Sequence, residues 1–99
     1  MDLERITNPL HPMYKRALEL YQISFPLHEQ REAFSQAAIL NDDTYHFELI
    51  YDAGVFVGLV LYWENLNYIY IEHFCILPEM RNKQYGKRVL SLLQKQKKT

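Results

Sequence analysis

The sequence is poor in cysteine and histidine, and this limits the sites it can form. Cys75 is the only cysteine among 99 residues, and the four histidines are dispersed along the chain. An internal disulfide and a zinc site of the Cys-x-x-Cys type are therefore excluded. We predict that the chain has no metal site.

Long apolar runs are also missing. No stretch approaches the ~20 apolar residues of a membrane-spanning helix, and residues 1–5 lack the basic and then apolar layout of a signal peptide. Together with the single cysteine, these absences predict a cytoplasmic protein with no membrane partner.

Glycine and proline are scarce, with three and four residues, and no linker, repeat or low-complexity segment is present. Hydrophobic residues make up 48% of the chain, and 8 Tyr, 5 Phe and 1 Trp supply material for a core. We expect residues 1–99 to form one small domain.

Acidic residues are absent from the last 19 positions. All 12 carboxylates lie in residues 1–80, whereas seven of the 11 basic residues follow. This end of the chain should attract an anion. A solvated helix end would explain Lys95, Lys97 and Lys98, but not the basic residues before the helix. Nucleic acid is not the expected partner, because the basic segment lacks interleaved aromatic residues and the rest of the chain is acidic.

The first half of the chain predicts a short strand and two helices. Residues 2–6 alternate as a strand, and a helix entered after Pro12 ends before Pro26. A second helix is predicted over 29–40, closed by a turn at 41–43. Its inward-facing residues are expected to be Phe34, Ala37, Ala38 and Leu40.

The second half predicts three consecutive strands over 45–52, 55–63 and 68–77, joined by turns at 52–54 and 64–67. A helix follows over 86–97, with an inward stripe of Tyr85, Val89, Leu92, Leu93 and Gln96. The predicted fold is α+β, in the order β-α-α-β-β-β-α, with an antiparallel meander and flanking helices.

The loop from Pro78 to Lys87 connects a strand to a helix and is the candidate site. Unpaired backbone N–H groups at a helix N-terminus, extended by loop amides, can cradle a phosphate. Gly86 would let a ligand approach the backbone, and Arg81, Lys83 and Lys87 add positive charge. By these residues alone, an ordinary connecting loop is the favoured interpretation.

A family resemblance favours the phosphate interpretation. The segment Tyr70-Ile71-Glu72-His73-Phe74-Cys75-Ile76-Leu77-Pro78, followed by Arg81-Asn82-Lys83-Gln84-Tyr85-Gly86, resembles the acyl-CoA-binding signature of the GNAT superfamily of N-acetyltransferases. The order of elements and the Ser24-Phe25-Pro26 corner are also similar to that family.

The resemblance implies an acetyl-CoA-dependent transfer of an acetyl group to a small-molecule or peptide amine. It assigns the CoA pyrophosphate to Arg81, Asn82, Lys83, Gln84, Tyr85, Gly86 and Lys87. It assigns the pantetheine arm to backbone groups of Phe74, Cys75 and Ile76. Gln84 stands where the family has its first glycine, and a positive φ there would cost on the order of 1 kcal/mol.

Glu72 is the candidate catalytic residue, because the family often has a proton-accepting carboxylate on this strand. The alternative is a solvent-facing carboxylate paired with a neighbour. His73 is expected on the opposite face of the strand as a packed or capping residue, and Cys75 as a small buried hydrophobic residue.

The resemblance covers only the N-terminal half of a GNAT domain, without the C-terminal strands and helix of the full fold. It therefore implies that this short chain has little activity of its own. The alternative function is a non-catalytic remnant or oligomerising module that binds CoA weakly or not at all. The unpaired outer edge of strand 68–77, which no proline or lysine protects, predicts a homo-oligomer.

Overall fold

A computed structural model describes residues 1–98, with side chains through residue 96. Its order of elements confirms the α+β fold and the β-α-α-β-β-β-α sequence. The elements are β1 (Asp2–Arg5), α1 (Tyr14–Ser24), α2 (Ala33–Ala38), β2 (Tyr45–Asp52), β3 (Val55–Glu64), β4 (Ile69–Ile76) and α3 (Tyr85–Lys98). Short 3₁₀ turns lie at Leu27–Glu29, Ile39–Asn41 and Pro78–Met80. No helix within residues 1–98 has the length and apolar character needed to cross a membrane.

The four strands form one antiparallel sheet in chain order, β1-β2-β3-β4. The β2–β3 hairpin has a two-residue turn in which Ala53 and Gly54 have φ values of 52° and 81°. Positive φ at both central residues produces a turn whose twist matches that of the flanking strands, which fixes the register of the hairpin.

Helices cover both faces of the sheet. On one face, Ala17, Leu20 and Tyr21 of α1 pack among buried residues that include Phe47 and Leu61. On the other face, the buried residues are Tyr85, Val89 and Leu93 of α3 with Ile50, Val57, Val60, Tyr62 and Ile76. Burial of both faces explains why residues 47–50 are all buried instead of alternating.

The predicted helix over 29–40 was wrong in length and partly wrong in orientation. Only Ala33–Ala38 is α-helical; Phe34 is 79% exposed and Ala38 is also exposed, whereas Leu40 is buried as expected. The buried residue of α2 is Gln36, whose side-chain amide donates to the Tyr45 hydroxyl at 2.8 Å.

Tertiary hydrogen bonds keep the start of this segment extended. The Gln30 side chain donates to the carbonyls of Gln22 and Phe25 at the end of α1, at 3.0 and 2.7 Å. The Arg31 backbone N–H donates to the Tyr21 hydroxyl at 2.7 Å. These bonds satisfy carbonyls that α1 leaves unpaired, and they require an extended backbone where helix was predicted.

The β2–β3 turn anchors the start of α3. The Tyr85 hydroxyl donates to Asp52 Oδ2 at 2.8 Å, and Arg88 donates to both Asp52 oxygens at 3.3 Å. Of the predicted stripe, Leu92 is half-buried and Gln96 is exposed, so Gln96 does not face the core. The side chains of Lys97 and Lys98, and all of Thr99, lie outside the described residues.

Candidate active site at the end of strand β4

A bulge in β4 sets the direction of the candidate catalytic side chain. Leu61 pairs with His73, but the next residue, Tyr62, pairs with Ile71, so Glu72 is an extra residue in the ladder. Glu72 and His73 therefore both project towards the α1 side, where Glu72 contacts Trp63 and His73 contacts Tyr21. The prediction that His73 lies on the opposite face was wrong for this reason.

The Glu72 carboxylate is held by three donors. Arg31 Nη1 donates to Oε1 at 3.0 Å and Nη2 to Oε2 at 2.9 Å, and Trp63 Nε1 donates to Oε2 at 3.2 Å. Partial burial raises the pKa of Glu72, but the hydrogen bonds from Arg31 and Trp63 outweigh it and bring the pKa below its ordinary value. Glu72 is therefore an ionised, oriented carboxylate at neutral pH.

His73 connects β4 to the turn that follows α1. Its ring packs against Tyr21 and Phe25, with centroids 5.1 and 4.5 Å away. Nε2 lies 3.2 Å from the Glu29 carbonyl oxygen, and Nδ1 lies 3.5 Å from Glu72 Oε1. A cavity of about 410 Å³ opens beside them, lined by Glu29, Gln30, Arg31, Glu72 and His73.

Cys75 is buried in the α1-side core, and burial raises the pKa of its thiol. Both findings agree with the expected hydrophobic role and disfavour a nucleophile, which needs a lowered pKa. Residues along an antiparallel strand direct their backbone groups alternately towards and away from the partner strand. The Leu77 N–H donates to the Val57 carbonyl of β3, so the N–H and C=O of Cys75, two residues earlier, also point towards β3, at Leu59.

The backbone groups of Phe74 and Ile76 consequently point to the outer edge of β4, where no further strand lies within the described residues. Arg81 Nε donates to the Ile76 carbonyl at 3.3 Å. A ligand lying along this edge would meet the backbone of Phe74 and Ile76, with Cys75 paired inward between them.

The loop before α3 has an unusual backbone. Asn82 and Gln84 have φ values of 70° and 60°, so the position where the resemblance placed a glycine does have a positive φ. The loop borders a cavity of about 420 Å³ lined by Ile76, Met80, Arg81, Asn82, Gln84, Tyr85 and Gly86. Left-handed residues of this kind occur in backbone anion nests, in which successive N–H groups turn towards one point.

The structure brings most of the predicted binding residues to this cavity, but not all of them. Lys83 and Lys87 are exposed outside its lining, and Lys87 lines a separate recess on the flank of α3 with Lys95. The Tyr85 hydroxyl is hydrogen-bonded to Asp52, which leaves its backbone for any ligand.

Within the described part of the chain, the fold does not require a glycine at position 86. A Cβ atom there would meet only Phe74 Cε1, at 3.9 Å, and its φ is not in the left-handed region. The space above its Cα therefore remains open to a ligand.

The sequence motifs do not predict the roles of Arg31 and Trp63, which hold Glu72. Their contacts come from residues 41 and nine positions away in the chain, and no local motif predicts them. The bulge did leave a signal, because the apolar positions of β4 shift phase between Ile71 and Phe74. Within residues 1–98 no group of three or more His, Cys, Asp or Glu side chains could hold a metal ion.

Two comparisons with known proteins found matches. The model of the acetyltransferase (GNAT) family matches residues 10–98. Among solved structures, the chain is similar to a protein described as "Putative acetyltransferase from GNAT family" from Bacteroides thetaiotaomicron, with 33% identity and a TM-score of 0.83. The match covers 94% of this chain and 53% of the other, so the chain spans about half the length of that structure. No curated protein matches the chain.

Proposed function

The chain belongs to the GNAT acetyltransferase family, and from this we propose that it binds acetyl-CoA and takes part in acetyl transfer to an amine. The observation that carries the proposal is the continuity of the open β4 edge at Phe74 and Ile76 with the anion nest before α3. A ligand with an amide-containing arm and a pyrophosphate fits that continuous path.

The residues present fit such a ligand. The first N–H groups of α3 are unpaired within the helix, and the helix dipole favours an anion at this end. Arg81 lines the cavity and adds positive charge, and Gly86 leaves room for a phosphate to approach the backbone. Lys83 and Lys87 contribute long-range attraction from outside the lining.

Acetyl-CoA supplies its acetyl group as a thioester, whose C–S bond breaks as the C–N bond to the neutral amine forms. The nitrogen loses one proton and the CoA thiolate gains one, so the products are the amide and CoA thiol. Phe74 and Ile76 would orient the pantetheine arm through backbone hydrogen bonds. Glu72 would hold the incoming amine, because an ionised carboxylate accepts about four hydrogen bonds and Arg31 and Trp63 occupy three. Its lowered pKa keeps the carboxylate ionised, which suits holding the acceptor as an ammonium until water takes the first proton.

We expect CoA to stabilise the 99-residue chain, because a ligand that binds only the folded state shifts the unfolding equilibrium. At a CoA concentration about a hundred times its dissociation constant, the gain is about 2.7 kcal/mol. A thermal-shift titration measures it, and no response at millimolar CoA would reject the anion site.

Two loop variants locate the CoA site. Gln84→Gly should stabilise the fold by about 1 kcal/mol and leave CoA affinity nearly unchanged, because the left-handed strain that it removes is present with and without ligand. Gly86→Ala should leave the fold intact but weaken CoA binding by about tenfold or more, because the added methyl group fills the approach to the backbone. Equal CoA affinity of Gly86→Ala and the unaltered chain would place the site elsewhere.

A specific observation also favours self-association of the 99-residue chain. The outer edge of β4 has no partner strand within residues 1–98, and a recess beside it is lined by Ile69, Ile71, Leu90, Leu93 and Gln94. A second copy whose β4 runs antiparallel would satisfy the edge and cover the recess in an isologous interface. Pairing over 69–71 leaves the backbone at 74–76 for a ligand.

Light scattering at micromolar concentration should therefore give a dimer mass. Ile71→Lys should give a monomer, because it puts a charge in the recess, whereas Leu10→Lys, at an 87% exposed position before α1, should not change the mass. A monomer mass for the unaltered chain would rule out this association.

A further inference from the structure

A second recess lies beside Glu72, at the end of the β3–β4 hairpin. Its volume is about 370 Å³, and it is lined by Thr44, Trp63, Glu64, Asn65, Tyr68 and Tyr70. Trp63 and Tyr70 face each other across the two strands. Tyr68 lies just before β4 and also lines the recess. Three aromatic side chains thus share one opening.

The two tyrosine rings are not needed by the core. Tyr68 and Tyr70 are 60% and 57% exposed. Within the described part of the chain, neither side chain makes a hydrogen bond, an ion pair or a ring contact. Large exposed aromatic side chains that line one recess favour a binding role over a packing role.

Trp63 links this recess to the candidate active site. Its indole forms a wall of the recess, while Nε1 of the same ring donates to Glu72 Oε2 at 3.2 Å. The ring is held in place by Tyr45, at a centroid distance of 4.8 Å. A molecule that crosses the face of the indole would reach the Glu72 carboxylate with one end and the tyrosines with the other.

The electrostatics of the recess select a cation. Aromatic faces carry negative potential and attract ammonium groups. Among the side chains that the structure describes, no lysine or arginine lines the recess, and the only charged lining residue is Glu64, whose Oε1 lies 3.3 Å from His46 Nε2. The polar rim of Thr44, Glu64 and Asn65 is unsuited to a purely hydrocarbon ligand. On the same side of the sheet, the Arg31 guanidinium already lies 5.5 Å above the ring of Tyr45.

We propose that the recess formed by Trp63, Tyr68 and Tyr70 binds a second cationic group of the acceptor. The acceptor is then an aliphatic amine with at least two positive charges, a diamine or polyamine, whose reacting amine lies at Glu72 and whose methylene chain crosses Trp63. The position of the reacting amine rests on the proposed function; cation binding by the aromatic recess does not.

The test uses the only tryptophan of the chain as its reporter. The 99-residue protein is titrated with 1,4-diaminobutane and with butylamine at one ionic strength, and Trp63 fluorescence is followed. The diamine should change the emission and bind about tenfold more tightly than the monoamine. Equal affinity of the two amines would overturn the proposal. So would an emission that changes with protein concentration and not with amine, because a second copy would then fill the recess.

Matched variants separate cation recognition from general attraction. Tyr70→Leu and Tyr68→Leu keep apolar bulk but remove the aromatic face. Each should reduce the ratio of diamine affinity to monoamine affinity towards one. Tyr70→Phe keeps the face and should keep the preference. Both positions are more than half exposed, so the variants should fold normally. If a change at Tyr70 disturbs β4, Tyr68→Leu still tests the recess, because Tyr68 lies outside the strand. A preference that persists in both leucine variants would contradict the proposal.

Failure of this proposal is distinguishable from failure of the proposed function. If diamines bind selectively while CoA does not stabilise the chain, the proposed cation recess is supported and the proposed acetyl transfer is rejected. If CoA binds and the two amines have equal affinity, the family function stands and the diamine specificity is overturned.

Discussion

Replacement of Gly58 by alanine should strongly destabilise the fold, because the added methyl group collides with the neighbouring strand. A Cβ atom at this position would lie 2.3 Å from the Cys75 carbonyl oxygen and 3.0 Å from Ile76 Cα. Both are backbone atoms of β4, so relief requires β3 and β4 to separate where they pair. We expect a loss of about 3 kcal/mol, a large share of the roughly 5 to 15 kcal/mol typical of a domain.

Urea denaturation followed by circular dichroism measures this loss. Gly86→Ala is the matched control, because the same methyl group meets only one atom, at 3.9 Å. The close contact would be refuted if the two variants unfolded at the same urea concentration. Displacement of Cys75 and Ile76 should also disturb the edge to which the pantetheine arm is assigned, so Gly58→Ala should weaken CoA binding wherever it still folds.

Removal of the Arg31 side chain should have the second largest effect. Arg31→Gln leaves the Glu72 carboxylate with Trp63 as its remaining donor, and it also removes a donor to Gln36 Oε1 at 3.2 Å. The side chains of Arg31 and Glu72 are only 23% and 21% exposed, so water replaces the lost bonds incompletely. We expect a loss of about 2 kcal/mol at neutral pH.

The pH dependence of stability identifies the pair. The pKa of Glu72 is lower in the folded state than in the unfolded state. The ionised carboxylate therefore contributes fully to the free energy of unfolding above the unfolded pKa, and this contribution disappears as the pH falls through the folded pKa. Arg31→Gln should therefore lose less stability than the unaltered chain when the pH falls below about 4.3, the ordinary pKa of a glutamate.

Arg16→Gln is the control, because the Arg16 guanidinium lies 5.3 Å from the Phe56 ring centroid and takes no part in the hydrogen bonds that hold Glu72. It should keep the full acid sensitivity. The double variant Arg31→Gln/Glu72→Gln should lose less stability than the sum of the two single variants, because it leaves no partly buried charge without its partner. Parallel pH profiles of the unaltered chain and Arg31→Gln would show that Glu72 is not held by Arg31.

The sequence predicted the features that depend on neighbouring residues. Alternation and the Ala53-Gly54 turn located β2 and β3, and the motif at 81–86 located the loop with the left-handed positions. It failed where distant groups determine the backbone. The helix expected over 29–40 is shortened by bonds from Gln30 and Arg31 to α1, and helical spacing carries no information about them.

The same distinction applies to the candidate site. Glu72 could be identified from the strand motif, whereas its surroundings could not, because Arg31 reaches it from the segment before α2. The bulge also changes the face of the sheet on which the next residue lies. One extra residue in β4 moved His73 from the expected opposite face into the lining of the cavity beside Glu72.

The chain-order sheet has a consequence for the route of folding. β2, β3 and β4 are joined by tight hairpins, so their pairing needs only short loops to close. β1 instead pairs Arg5 with Glu48, across a segment that contains both α1 and α2. Closing that long loop costs more chain entropy and recovers only four residues of ladder. We therefore expect the meander to form first and β1 to join it together with α1 in a late step. Amide hydrogen exchange should then show this edge of the sheet detaching first when the native state opens transiently.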